Sequence, residues 1–176
     1  MRRAWVILPA LAAAFGITAA DAAPPEAELR NCRTRAEGTA PTRMIVGPND
    51  VRLGPLVLGN VRSLGGAGRS VDPTWPWVKK MPVLLPARAR VVLAISPEAA
   101  ERAAFQHRNG WAHAIRFTAC YERVRAWAYA GTVGKTTFFP SAIGLRKRSL
   151  CLPLELWVDG QAQPLRRVVP IGRRSC

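Results

Sequence analysis

Lysine is nearly absent from this 176-residue chain: Lys79, Lys80, Lys135 and Lys147 stand against 22 arginines. Histidine is rarer still, with only His107 and His113. No Cys-x-x-Cys occurs, and both histidines lie away from the four cysteines in sequence, which argues against a metal site. The Gly-x-Ser-x-Gly of a nucleophile elbow is missing as well. Beyond residue 17 no apolar run approaches the roughly 20 residues needed to span a bilayer. There is no internal repeat, which excludes solenoids and propellers. Four cysteines in this length are too few for a disulfide-dense miniprotein.

What remains is an ordinary globular composition, 49% hydrophobic and 21% charged, with a length suited to one domain. The charge balance is lopsided: 26 Lys+Arg against 11 Asp+Glu give a formal +15. Arg2 and Arg3 precede a nearly unbroken apolar run from Ala4 to Ile17, followed by Ala20-Asp21-Ala22. That order predicts a secretory signal peptide over 1–22, cleaved after Ala22, with Ala20 the other candidate. Removing Arg2, Arg3 and Asp21 leaves 24 basic and 10 acidic residues, or +14. Export would place Cys32, Cys120, Cys151 and Cys176 in an oxidising compartment, where an even count predicts two disulfides. Cys120 ends one expected strand and Cys151 begins another, and domain termini are often close. The preferred pairing is therefore Cys120–Cys151 with Cys32–Cys176.

Residues 23–43 are expected to form an N-terminal extension, and 44–176 the folded domain. From Met44 onward, short apolar runs alternate with Gly and Pro, predicting strands at Met44–Val46, Val51–Leu58, Met81–Leu85, Arg90–Ile95, Ala114–Ala119, Arg123–Tyr129, Thr136–Phe139, Leu150–Val158 and Leu165–Ile171. Such a pattern points to an all-β antiparallel sandwich or barrel. The sharpest signal is Leu150, Leu152, Leu154, Leu156 and Val158 alternating with Cys151, Pro153, Glu155 and Trp157, a period of two with one buried face. Asp159-Gly160 follows as a hairpin turn toward a partner strand through Leu165, Val168 and Val169. Pro153 favours an edge or a bulge. One short helix is predicted from Ser96 to about His107: a capping Ser, Pro97 at the first position, Glu98 and Glu101 at the dipole's positive end, then alanines.

Several motifs fail on inspection. Gly134-Lys135-Thr136 lacks the upstream glycine of a phosphate loop, since Tyr129 stands there. Leu64-Gly65-Gly66-Ala67-Gly68 is not followed by a helical pattern and reads as a mobile surface loop that continues through Arg69 to Pro73, a candidate variable binding loop. His107 and His113 read as structural or solvated. Asp50, Asp72, Glu122, Glu155 and Asp159 could meet as a carboxylate pair only by folding, and nothing in their spacing requires it.

The strongest surface candidate is Trp75-Pro76-Trp77 followed by Lys79 and Lys80, since aromatic faces stack on sugars or bases and adjacent cations attract phosphate. The plainer reading is that both tryptophans cover the core. Arg146-Lys147-Arg148 forms a second basic cluster, and Arg166-Arg167 with Arg173-Arg174 a third.

From about Val46 onward the chain resembles a group of secreted bacterial β-sandwich proteins of immunoglobulin-like appearance. The resemblance is carried by Val46-Gly47-Pro48, Lys80-Met81-Pro82-Val83, Val91-Val92-Leu93-Ala94-Ile95-Ser96-Pro97, Phe117-Thr118-Ala119-Cys120 and Cys151-Leu152-Pro153-Leu154-Glu155. It implies an exported immunoglobulin-like sandwich and brings no catalytic residues. The resulting expectation is a non-enzymatic module at the cell envelope without a cofactor, the less favoured alternative being a secreted hydrolase whose residues assemble only in space. Its expected partner is an anionic envelope polymer or an envelope protein, with no intracellular nucleic acid and no membrane span after cleavage.

Overall fold

The computed structural model describes residues 23–31, 38–40, 47–65, 67–108, 110–120 and 136–176. The signal segment, Cys32, the expected strands Met44–Val46 and Arg123–Tyr129, Glu122 and Gly134-Lys135 lie outside those residues. In chain order the strands are β1 (Glu28–Arg30), β2 (Gly38–Ala40), β3 (Val51–Leu53), β4 (Leu56–Leu58), β5 (Ala67–Arg69), β6 (Trp77–Lys80), β7 (Val83–Pro86) and β8 (Arg90–Ile95). There follow β9 (Ala103–His107), β10 (Gly110–Ala112), β11 (Ala114–Thr118), β12 (Thr136–Phe139), β13 (Ala142–Leu145), β14 (Leu150–Val158) and β15 (Leu165–Ile171).

These strands form three five-stranded sheets, ordered β1-β11-β8-β14-β15, β10-β9-β13-β6-β5 and β2-β12-β7-β4-β3. Only β1–β11 is parallel among the described pairings. The all-β class therefore holds. The chain steps between sheets through very short links: Met81-Pro82 joins β6 to β7, Pro140-Ser141 joins β12 to β13, and His113 joins β10 to β11. Strands from all three sheets contribute to one core, including Leu58, Leu85, Leu93, Phe105, Phe117, Phe139, Ile143 and Leu154. A smaller apolar cluster, Val92, Ala94, Ala114 and Trp157, lies on the other face of the first sheet, with Ala27 packed on it.

The alternation in β14 is realised: Leu150, Leu152, Leu154 and Leu156 are all buried in the main core. Full burial of each such side chain contributes roughly 1.5–3 kcal/mol. Trp157 points to the opposite face and closes the smaller cluster. β14 and β15 pair antiparallel from Leu150↔Ile171 to Leu156↔Leu165, and Gly160 takes φ +81° in the turn. The edge position expected from Pro153 is not found, because β14 is central, between β8 and β15. Pairing with β8 stops at Leu154↔Ile95, and the Pro153 carbonyl accepts from Ser96 N at 3.1 Å. In extended backbone a residue's N and C=O face the same side, so the missing donor points past the end of β8 and breaks no rung.

The predicted helix is a correction. Only Pro97–Ala99 is helical, as a short 3-10 segment followed by a turn, and the Ser96 side chain makes no capping bond. Ala103–His107, expected to be helical, is strand β9. Register explains it: Ala103, Ala104 and Phe105 pair with Leu145, Gly144 and Ile143 and are almost fully buried. Burial against the sheet overrides alanine's helix preference, which is worth at most several tenths of a kcal/mol per residue. The single strand expected over Val51–Leu58 is instead a hairpin, β3–β4, turned by Gly54 at φ +54°. Two short strands, β1 and β2, fall within the expected N-terminal extension and pair with β11 and β12.

The cysteine pairing is corrected as well. Where two disulfides were expected, one lies among the described residues, and it joins Cys151 to Cys176 with Cα atoms 5.7 Å apart. Cys120 follows β11, which β8 separates from β14, so Cys120 and Cys151 are not on neighbouring strands. The tail after β15 turns back at Gly172, φ +64°, and brings Cys176 beside β14. Cys120 is not a free thiol.

Candidate functional site

Within the second sheet, β6 lies between β5 and β13. Its alternation sends Trp77 and Lys79 toward the core side, opposite Leu145 and Ile143, and leaves Lys80 exposed. Lys79 is fully buried at 0% exposure. Its ammonium donates to Ser63 O (2.9 Å), the Ser63 hydroxyl and Gly65 O. Burial pushes this lysine below the ordinary range. Lys79 therefore fastens a loop and offers nothing to a ligand. The Gly-rich stretch is correspondingly not a free loop, since residues 67–69 pair with β6.

Register places Arg69 directly across from Trp77, and the Arg69 Cζ sits 4.9 Å from the Trp77 ring centre. Beyond the end of β13 the chain turns outward: Arg148 Cζ comes to 5.7 Å from the same ring, and Arg146 Cζ to 5.3 Å from Trp75. Arg69, Arg146, Lys147 and Arg148 are all exposed. Folding thus brings together the two candidate stretches, Trp75–Trp77 and Arg146–Arg148, which lie far apart in sequence. Trp75 itself is buried at 6% exposure and leans on Trp111, with ring centres 6.1 Å apart and planes tilted by 55°. Trp111 Nε1 donates to Asp72 Oδ2 at 2.6 Å, and this bond, ahead of the Thr74 amide, holds the Asp72 carboxyl below the usual range.

The Asp72 carboxylate lies on the Trp75 side, against Trp111, and the exposed basic side chains here make no ion pair among the described residues. Among the described residues the ion pairs are Arg90–Asp159 and Arg166–Glu155, and His107 Nδ1 lies 3.4 Å from the Glu28 carboxylate. None involves Arg69, Arg146, Lys147 or Arg148. Arg146 Nε meets only the Glu101 carbonyl, at 3.4 Å. The guanidinium centres lie within 6 Å of the indole rings while the side chains remain exposed, so N–H donors stay open to solvent. The arrangement can bind anions. It cannot offer Trp75 or Trp77 as open stacking surfaces, because one is buried and arginines lie over both rings.

The other candidates disperse. Asp50 accepts from the Gly47 and Asn60 amides, Glu155 from Arg166, and Asp159 faces Arg90 at 4.0 Å, so these carboxylates are engaged at separate places. His107, expected at a helix end, lies in β9 with Nδ1 3.4 Å from Glu28; His113 is exposed between β10 and β11. No group of three or more His, Cys, Asp or Glu able to hold a metal occurs among the described residues. A groove of about 510 Å³ lies beside Trp157 and Pro24, with Arg90 and Asp159 on its wall.

Sequence reading missed Trp111 and gave Arg69 only a loop role. Trp111 sits in a three-residue strand whose signal is too short to read, and Arg69 acquires meaning only through its register with Trp77. No protein-family model, curated protein or solved structure matches the chain.

Proposed function

We propose that this protein is an exported, non-enzymatic binding module of immunoglobulin-like sandwich form that associates with anionic polymers of the cell envelope. The observation that carries the reading is the pair of exposed arginines, Arg69 and Arg148, held against the Trp77 ring, neither of them ion-paired among the described residues. Gathering like charges without counter-ions is unfavourable, and a repeating anion would relieve it. The Cys151–Cys176 bond is compatible with an oxidising compartment. No helix among the described residues is long and apolar enough to cross a membrane.

The test is retention on an immobilised anionic envelope polymer across a salt series. Binding should fall steeply between low and high salt. An Arg69→Gln, Arg146→Gln, Arg148→Gln variant should be retained far more weakly than the parent at equal salt. Affinity that is flat with salt, or unchanged in the variant, overturns the reading. One observation favours a second reading, recognition of an envelope protein: the edge strand β15 exposes Leu165 (38%) and Val168 (53%). Equal recovery of envelope proteins by the parent and a Val168→Lys variant would reject it.

A further inference from the structure

We propose that the two guanidiniums sharing the Trp77 ring select tetrahedral oxyanions, the phosphate or sulfate groups of a polymer, over planar carboxylates. The inference rests on the polyanion reading above and narrows its ligand. Arg69 and Arg148 approach one indole from different parts of the chain, the first from edge strand β5 and the second from the turn after β13. Both residues are exposed, and neither is ion-paired among the described residues.

A carboxylate is planar, and a single side-on arginine occupies the pair of lone pairs on its open edge. The sites left for a second fork are the remaining lone pairs, which lie in that same plane. A phosphate or sulfate ester holds its oxygens in tetrahedral directions, so two forks lying in different planes can both reach one group. Arginine pairs are accordingly suited to phosphate, whereas a lysine contributes only a point charge. Trp77 restricts both side chains before the anion arrives, which reduces the entropy lost on binding. Exposed Lys147, between Arg146 and Arg148, adds charge without adding geometry.

The ring also explains why the ligand is read as an anion and not as a sugar or a base. With guanidiniums within 6 Å of both Trp75 and Trp77, a stacking ligand would have to displace a cation from its aromatic partner. The binding element is therefore the charged edge.

The experiment compares the full chain on three soluble polymers matched in charge per length: linear polyphosphate, dextran sulfate and polyglutamate. Affinities are measured by competition at one fixed ionic strength. Polyphosphate, dextran sulfate or both should bind about tenfold more tightly than polyglutamate, and the stronger of the two identifies the source of the oxyanion. An Arg69→Lys, Arg148→Lys variant keeps the net charge, and it should lose the preference while binding polyglutamate as before. Arg69→Lys alone, on an exposed edge strand, provides the same readout should the double variant unfold. Equal affinity for all three polymers overturns the selectivity and leaves polyanion binding standing. Loss of binding to all three overturns both. A preference that survives the lysine replacements places the selectivity elsewhere and overturns the site.

Discussion

Gly144 lies where three aromatic and strand contacts converge. A Cβ at this position would fall 2.7 Å from Trp111 Cζ3 and 2.8 Å from the Trp75 Cβ. Neither neighbour can yield cheaply, since Trp75 is buried and Trp111 is held by Asp72. Gly144→Ala should therefore destabilise the protein by about 1–3 kcal/mol, read as a lower midpoint in urea, with a change in the near-ultraviolet signal of the paired indoles. Lys79 makes a different kind of statement. Its folded-state proton affinity is depressed by burial, so in the window below lysine's ordinary value the unfolded chain binds more protons. Stability from this group accordingly rises with pH through that window. Relative to a Lys79→Met variant, the parent should gain stability between about pH 7 and about pH 10, measured by chemical denaturation at each. A difference that stays constant, or moves the other way, refutes the assignment.

At the scale of elements, legibility followed burial geometry. β14 was readable because one face is uniformly leucine and the period of two is unbroken over nine residues. β8, β12 and β15 were likewise found with their observed limits, each being an apolar run between turn signals. The segment after Ser96 was misread because caps and alanines describe local preference, while Ala103–Phe105 answer to a partner strand some 40 residues away. Short strands such as β5 and β10 carry three residues each, too few for any period to register. The disulfide was misassigned for the same reason: strand adjacency in sequence does not give strand order. Cys151–Cys176 closes a separation of 25 residues, for which chain entropy predicts about 3 kcal/mol. Peptide mapping without reduction should return the Cys151–Cys176 pair, and any second bridged peptide must then join Cys32 and Cys120. A Cys151→Ala, Cys176→Ala variant should lose roughly that stability. A Cys120–Cys151 peptide would contradict the fold around β14.

For the whole molecule, the charge was plain in the sequence and its distribution was not. A formal +15 says that anions are attracted, and nothing in composition says where they would settle. Folding separates three populations of arginine. Arg166 and Arg167 are engaged, one with the Glu155 carboxylate and the other with the Arg52 carbonyl, while Arg30 is buried and donates to Pro140 O and Ser141 Oγ. Arg69, Arg146 and Arg148 are placed on tryptophan, and Arg173 and Arg174 are exposed beside the C-terminal bridge. These groups should act on different kinetic steps. Remote charges add to the long-range field that governs encounter, whereas stacked arginines make the contacts that govern release. Replacing Arg173 and Arg174 by Glu lowers the net charge by four units, so association with a polyanion should slow several-fold at low salt. That loss should vanish at high salt, where the field is screened over about 3 Å. Dissociation should be nearly unchanged. Arg69→Lys with Arg148→Lys should do the reverse, leaving the association rate intact and quickening dissociation. Stopped-flow association and surface-bound dissociation measured on the two variants separate these effects. A tail variant that altered dissociation as much as association would mean that Arg173 and Arg174 touch the ligand, and the binding surface would then extend from Trp77 to the disulfide-bonded terminus.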